Sequence, residues 1–275
     1  MRGLLRHIEA CHNARLPGTR QPFLIGAARV GWVLPELMRA LSDFPEIRVW
    51  PFGVGLDQAQ AGALPRIALA LAGRGLFRWR DEAFDVRAEP GGPALAELDR
   101  GALPLFGVMA EGVHVNGLVR RADGLWLWVG RRAAQRQLDP GKLDHLVAGG
   151  IPAGFSVTAA LIKEAAEEAG IPAPLAAGAV PVGQIRYAME RAEGLRRDLL
   201  HCFDLYLPAD FDPRPADGEL AGFELWPLAR VLERGAATDD FKFNVNLVLI
   251  DLFLRTGLID PASADGLALR RALDG

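Results

Sequence analysis

The sequence predicts an α/β (α+β) fold in two parts, and three observations carry that expectation. Residues 1–100 read as helices alternating with short strands, whereas from about Phe106 the pattern turns to strands. A Gly-rich loop at 149–154 runs directly into one helix with strong start and stop signals. A strongly apolar segment, 241–259, suits a helix packed on a sheet.

In the first part, Pro35–Phe44 reads as a helix opened by its proline, and Asp57–Arg74 as a helix capped by Asp57. Arg29–Val33, Val49–Phe52 and Phe84–Arg87 are short strands. The stretch Ala88–Pro104, with EPGGPA inside it, marks a boundary between an accessory domain, 1–104, and a second domain, 105–275. In the second part GVHVNGLVR (112–120) alternates, and the Ala122-Asp123-Gly124 turn feeds LWLWVGR (125–131), with Trp126 and Trp128 on one core face. Further strands are expected at 180–187, 198–207 and 222–226, and helices at 156–169, 228–234 and 241–256. The Arg-rich run 186–197 reads as a hairpin tip, and PADFDPRPADG (208–218) as a loop.

The chain has 275 residues, half of them apolar, which is enough for a substantial core. Its net charge of −3 offers no basic field, so neither nucleic acid nor an anionic membrane is an expected partner. No stretch reaches the roughly 18 apolar residues of a membrane helix. The first residues mix charge into every apolar run, unlike a signal peptide, and Cys11 and Cys202 are too few for a disulfide framework; a cytoplasmic location is the expectation. Only Lys142, Lys163 and Lys242 are lysines among 31 basic residues.

The chemistry concentrates in AGGIPAGFSVTAALIKEAAEEAGI (148–171). Gly149, Gly150, Pro152 and Gly154 make a tight loop, Ser156 caps the helix, and Gly170 ends it ahead of Pro172. Glu164, Glu167 and Glu168 fall on one face, with Thr158, Ile162, Ala165 and Ala169 opposite. Like charges at this spacing repel by about 0.2–0.5 kcal/mol per pair, and they sit where the helix dipole disfavours them. A bound cation removes both penalties, and oxygen donors select Mg²⁺ or Mn²⁺. The residues alone also allow a solvated acidic face on which Lys163 pairs with Glu167.

The segment resembles the Nudix box: G, five residues, E, seven residues, then R-E-U-x-E-E-x-G-U, where U is apolar. Gly149, Glu164, Ala165, Glu167, Glu168, Gly170 and Ile171 match it. Phe155 stands at the first Glu and Lys163 at the Arg. The resemblance implies a Nudix α/β/α sandwich with a mixed sheet, preceded by a smaller N-terminal α+β domain, and a Mg²⁺-dependent pyrophosphohydrolase of small-molecule diphosphates. A homodimer is a further arrangement the family uses. GVHVNG (112–117), LDHLVAGGIPAGFS (143–156), KEAAEEAGI (163–171), DGEL (217–220) and FKFNVNLVLIDLFLRTG (241–257) are similar to the Nudix portion associated with thiamin pyrophosphokinase, and RVGWVLPELMRAL (29–41) and WRDEAFDV (79–86) to that group's extra N-terminal domain. This implies hydrolysis of thiamin diphosphate, or its oxidised forms, to the monophosphate. Another nucleoside or isoprenyl diphosphate, or a binding-only Nudix domain, are the alternatives.

Within that frame Glu164, Glu167 and Glu168 are the expected metal and catalytic carboxylates, with Lys163 reaching Glu167, the Gly149 carbonyl a further ligand, and Glu219 either a site-facing acid or a turn residue. His114 and Asn116 share one strand face, lining the substrate cleft or forming a hydrogen-bonded interior pair. Arg131, Arg132 and Lys142 flank the loop before the box, as phosphate contacts or as surface charge. Trp32, Trp50 and Trp79 are the N-terminal aromatics that can close over a ring.

Overall fold

The computed structural model describes residues 2–135 and 138–275. After helix α1 (Arg2–Cys11), strands β1 (Gln21–Ile25), β2 (Ala28–Val33), β3 (Ile47–Trp50) and β4 (Gly53–Leu56) form a sheet of order β2-β1-β4-β3. Helices α2 (Pro35–Leu41) and α3 (Leu64–Gly73) cover it, so Phe23, Val54, Leu37, Ile67 and Leu71 make one apolar core. Pro35 opens α2 as expected. Asp57 caps nothing: its carboxylate pairs with Arg48 at 2.6 Å, and a 3-10 turn, Gln58–Ala63, precedes α3. A hairpin of β5 (Ala83–Val86) and β6 (Ala96–Asp99) follows, then the short α4 (Leu103–Phe106). The stretch 88–104 therefore carries ordered structure, and Leu98 and Leu103 are buried in the same core.

The second half is a seven-stranded mixed sheet. Its strands are β7 (Met109–Arg121), β8 (Gly124–Arg132), β9 (Leu143–Asp144), β10 (Val147–Gly150), β11 (Val180–Arg191), β12 (Gly194–Tyr206) and β13 (Leu220–Pro227), with path β11-β12-β7-β8-β13. Only β7 and β12 run parallel; β10 pairs antiparallel with β7 and β9 with β8. The Arg-rich run at 186–197 is the β11–β12 hairpin.

Alternation along β7 and β12 sends side chains to two layers. Val113, Val115, Phe203 and Leu205 meet α5 (Val157–Ala169) and the short α6 (Ala173–Ala176). Leu118, Leu200 and Cys202 meet α7 (Leu228–Ala237), α8 (Val245–Arg255) and α9 (Ala264–Asp274). This is the α/β/α sandwich. Every residue of α8 except Arg255 is buried, Asn246 and Asp251 among them, the latter ion-paired with Arg255 and Arg270. It begins later than the expected 241 because Phe241 bridges Leu143 and the Lys242 amide donates to the Leu143 carbonyl. Helices α1 and α9 extend the sequence expectation; α1 packs Leu4, Ile8 and Cys11 into the α8 layer, away from the N-terminal sheet. Both cysteines are free and buried, and burial pushes each thiol up to about 12.

Candidate active site

Strand β10 delivers the chain to the loop at 151–156, and local chemistry sets both ends of the helix that follows. The Ser156 hydroxyl accepts the Ala159 amide at 3.1 Å. Gly170 adopts φ 64°, and the Ile171 amide returns to the Ala165 carbonyl, burying Ile171 completely. Helix α5 lies so close to β10 that a side chain at Gly149 would collide with the Glu164 carboxylate. Any larger residue there would have to displace that carboxylate.

The three glutamates are graded in depth. Glu167 is about half exposed, Glu164 is largely covered, and Glu168 is 5% exposed. Glu168 Oε2 accepts the Ala148 amide at 2.7 Å, which pins α5 onto β10. That contact rotates the helix from its expected setting: Leu161, Ala165, Glu168 and Ala169 face inward, while Thr158 is exposed and Ile162 half-buried. Burial raises the Glu168 carboxyl to about 8 against the opposing pull of the Ala148 amide, and Asp144, Glu164 and Glu219 push the same way as burial. Glu164 is raised by burial first, with Lys163 opposing. Lys163 donates to Glu164 at 3.1 Å and to Glu167 at 2.5 Å. These bonds hold its ammonium above its ordinary range although burial alone would lower it.

The donor set suits a hard divalent cation: carboxylates of Glu164 and Glu168, the Gly149 backbone, and the Glu219 charge close enough to act on both glutamates. Among the described residues no three His, Cys, Asp or Glu side chains converge on a metal-sized point. Mg²⁺ does not require a closed protein cage, since one or two carboxylates, waters and substrate phosphates complete its octahedron. Glu219 follows the 208–218 loop, its carbonyl taking the Ala133 amide at 3.0 Å.

The structure puts several other expected residues elsewhere. His114 and Asn116 point to the α8 side of β7, away from α5, and are 3% and 0% exposed. His114 Nδ1 lies 2.9 Å from His145 Nδ1, and Asn116 Nδ2 donates to Asp204 at 2.8 Å. Burial lowers both histidines, His145 to about 4 and His114 well below its ordinary value, each opposed by the Asp144 charge. His114 and Asn116 are thus both interior and hydrogen-bonded, each to a partner on another strand or loop and not to the other. Arg132 is likewise interior, ion-paired with Asp144 at 2.7 Å and donating to the Leu138 carbonyl. Arg131 is half exposed beside Glu224 at 3.7 Å, on a cavity of about 200 Å³ shared with Trp226, Arg230, Arg234 and Asp240. Lys142 is half-buried, and its carbonyl accepts the Arg132 amide. Trp50 stacks with Phe52 on an open cavity of about 490 Å³ together with Arg29; Trp32 lies under that arginine, and Trp79 donates to Asp81.

Two features escaped the sequence reading. Lys242 is 8% exposed, with Nζ 3.5 Å from Asp144 Oδ2 and within electrostatic range of Glu168. Its rarity in an arginine-rich chain was the signal. The second is that β5 reaches the box loop: the Ala83 carbonyl accepts the Ala153 amide at 2.8 Å, and Asp85 Oδ2 accepts the Gly154 amide at 3.2 Å.

A family model described as the NUDIX domain matches residues 111–247, and one described as a domain of unknown function (DUF4743) matches 3–110. The chain belongs to the Nudix family: it is a Nudix hydrolase, an enzyme that cleaves diphosphate bonds, in a family that uses divalent ions such as Mg²⁺ or Mn²⁺. Nudix hydrolase 24, chloroplastic, of Arabidopsis thaliana is 36% identical over 282 residues, covering 98% of this chain and 77% of the relative. Nudix hydrolase 20, chloroplastic, of the same plant is 42% identical over 194 residues, 70% of this chain but only 52% of the relative. Among solved structures, DR0079 from Deinococcus radiodurans aligns with 61% of this chain and 97% of its own at 18% identity, with a TM-score of 0.44. The cytoplasmic expectation is corrected by the two Arabidopsis relatives, both of which are chloroplastic. No helix among the described residues is long and apolar enough to cross a membrane.

Proposed function

We propose that the α5 face of this chain hydrolyses the diphosphate of thiamin diphosphate, or of its oxidised forms, to the monophosphate and inorganic phosphate with Mg²⁺ or Mn²⁺. The observation that carries the catalytic part is the Glu164–Glu168 pair seated against Gly149 and the Ala148 amide. Glu168, Glu164 and the Gly149 carbonyl would hold the ion, with Glu167 and Glu219 beside it; when bound, it neutralises charge on the diphosphate oxygens and acidifies water. Where Glu164 serves as base and not as ligand, its carboxyl, raised by burial, is suited to take the proton of the attacking water. Lys163 holds Glu164 and Glu167 in place, doing with one ammonium what the arginine of the pattern does with a fork. The thiamin assignment rests on the similarity of seven segments across both halves to the thiamin-associated subgroup. It keeps the division into an accessory unit, 1–104, and a hydrolase unit, 105–275, with α1 packed on the latter.

The test is a Mg²⁺ assay of purified protein against thiamin diphosphate, oxidised thiamin diphosphates, nucleoside diphosphate derivatives and isoprenyl diphosphates, with Glu168→Gln alongside. Monophosphate from the thiamin compounds, lost in the variant, is expected. Turnover of nucleotides or isoprenoids alone refutes the thiamin reading, and undiminished turnover in the variant refutes the α5 site.

A further inference from the structure

The box loop of this chain lacks a carboxylate at 155, where the family pattern has one. Phe155 does not fill that place; it is 42% exposed. The loop nonetheless has an acid at its tip, and it comes from the other half of the molecule. Asp85 in β5 accepts the Gly154 amide, and the Ala83 carbonyl accepts the Ala153 amide, so two successive loop amides are held by alternate residues of one strand. Between them Phe84, 3% exposed, packs the tip of its ring against Gly150, where a Cβ would strike Cζ. The Ile151 amide is held from below by the Glu111 carbonyl at 2.9 Å. The loop is thus clamped between β7 and β5.

The strand that does the clamping is itself fixed. Asp85 is 14% exposed and paired with Arg87 at 2.6 Å. Asp99 on the partner strand accepts the amides of Arg80, Glu82 and Gly101, bracing the turn that leads into β5. This is the WRDEAFDV segment (79–86), to which the hydrolase chemistry assigns no part.

We propose that Asp85 is the positioning carboxylate of the Nudix loop, supplied by the N-terminal unit in place of the missing acid at 155, and that β5 sets the geometry of Gly149 and Gly150 for the ion. The second clause rests on the reading of the α5 face as a Mg²⁺ or Mn²⁺ site. Asp85 touches neither ion nor substrate; it acts through the loop backbone, so its removal loosens the loop before it affects anything else.

The experiment uses the full chain as wild type, Asp85→Ala, Asp85→Asn and a control, Arg66→Ala, which removes the ion pair between exposed Arg66 on α3 and Glu46 without touching the loop's own hydrogen bonds. Amide hydrogen exchange is measured without metal, and Mn²⁺ binding by electron paramagnetic resonance. A lost charge-assisted hydrogen bond speeds exchange at Ala153 and Gly154 roughly tenfold or more in Asp85→Ala, while α5 and Arg66→Ala stay unchanged. Asp85→Asn keeps an acceptor and falls between, and it carries the comparison if Asp85→Ala unfolds. The Mn²⁺ Kd rises in the same order, at least several-fold for Asp85→Ala. Unchanged exchange at 153–154 overturns the proposal; faster exchange with an unchanged Mn²⁺ Kd overturns its link to the ion. Wild type that binds no Mn²⁺ refutes the metal reading instead, and the clamp is then decided by exchange alone.

Discussion

Glu168→Gln should make the metal-free protein more stable while destroying its activity. The side chain is 5% exposed, and Gln retains an oxygen to accept the Ala148 amide, so the substitution removes the ability to ionise and little else. Burial and the neighbouring carboxylates raise this carboxyl from 4.5 to about 8 in the folded chain. A carboxyl raised on folding binds more protons in the native than in the unfolded state. Its penalty is therefore absent below pH 4.5, grows with pH, and levels off above pH 8. At pH 7 that is two and a half pH units at ~1.4 kcal/mol each, about 3 kcal/mol. Urea unfolding in EDTA at pH 7 should show the variant more stable by that order, with the difference vanishing near pH 4.5. Saturating Mg²⁺ should then narrow or reverse the gap, because only wild type gains about 2.7 kcal/mol at a hundredfold excess over Kd. A variant less stable than wild type in EDTA, or a gap that does not change with pH, refutes the reasoning.

Other outcomes follow from the same geometry. Arg132→Met should cost about 3–5 kcal/mol in urea unfolding, since it strips the closer cation from buried Asp144. Acidification from pH 6.5 to 4 should destabilise wild type relative to His145→Gln by about 3 kcal/mol, because a histidine lowered to about 4 must be charged in the unfolded chain and neutral in the folded one. Lys163→Arg should leave stability within about 0.5 kcal/mol and activity intact, whereas Lys163→Met should reduce kcat by freeing Glu164 and Glu167. Gly150→Val should cost about 2–4 kcal/mol, because it drives a side chain into buried Phe84.

What was legible in the sequence was what short-range chemistry decides. Ser156 and Gly170 mark the ends of α5 through bonds made within a turn, and the glutamate spacing is fixed by the helix itself. The depth of each glutamate was not legible, because it depends on how α5 rolls onto β10. One contact, Glu168 to the Ala148 amide, turned an expected surface carboxylate into a buried one. The alternation of His114 and Asn116 correctly placed them on one strand face, but which face meets α8 is decided by the layer order of the sandwich. The β5 clamp joins residues about seventy positions apart, and nothing in either segment announces the other. The Gly and Pro content of the stretch 88–104 concealed its local structure: EPGGPA is the turn region of a hairpin whose second strand carries buried Leu98.

The placement of Lys242 explains how so acidic a face can be folded before any cation arrives. Asp144 and Glu168 are buried acids that repel each other, and Arg132 and Lys242 are the buried bases on the same point. Asp144 is held down to about 2 although burial opposes it, because both cations face it. Lys242 is lowered by burial first, with Asp144 and then Glu168 pulling it back up. The cations favour Asp144, at 2.7 and 3.5 Å, and leave Glu168 the poorer partner, its carboxyl raised to about 8 and so largely protonated at neutral pH. The sandwich therefore neutralises one acid with its own residues and leaves the other underpaired on the face proposed above for a divalent ion. An interior that satisfied both would be more stable and would bind the ion less well.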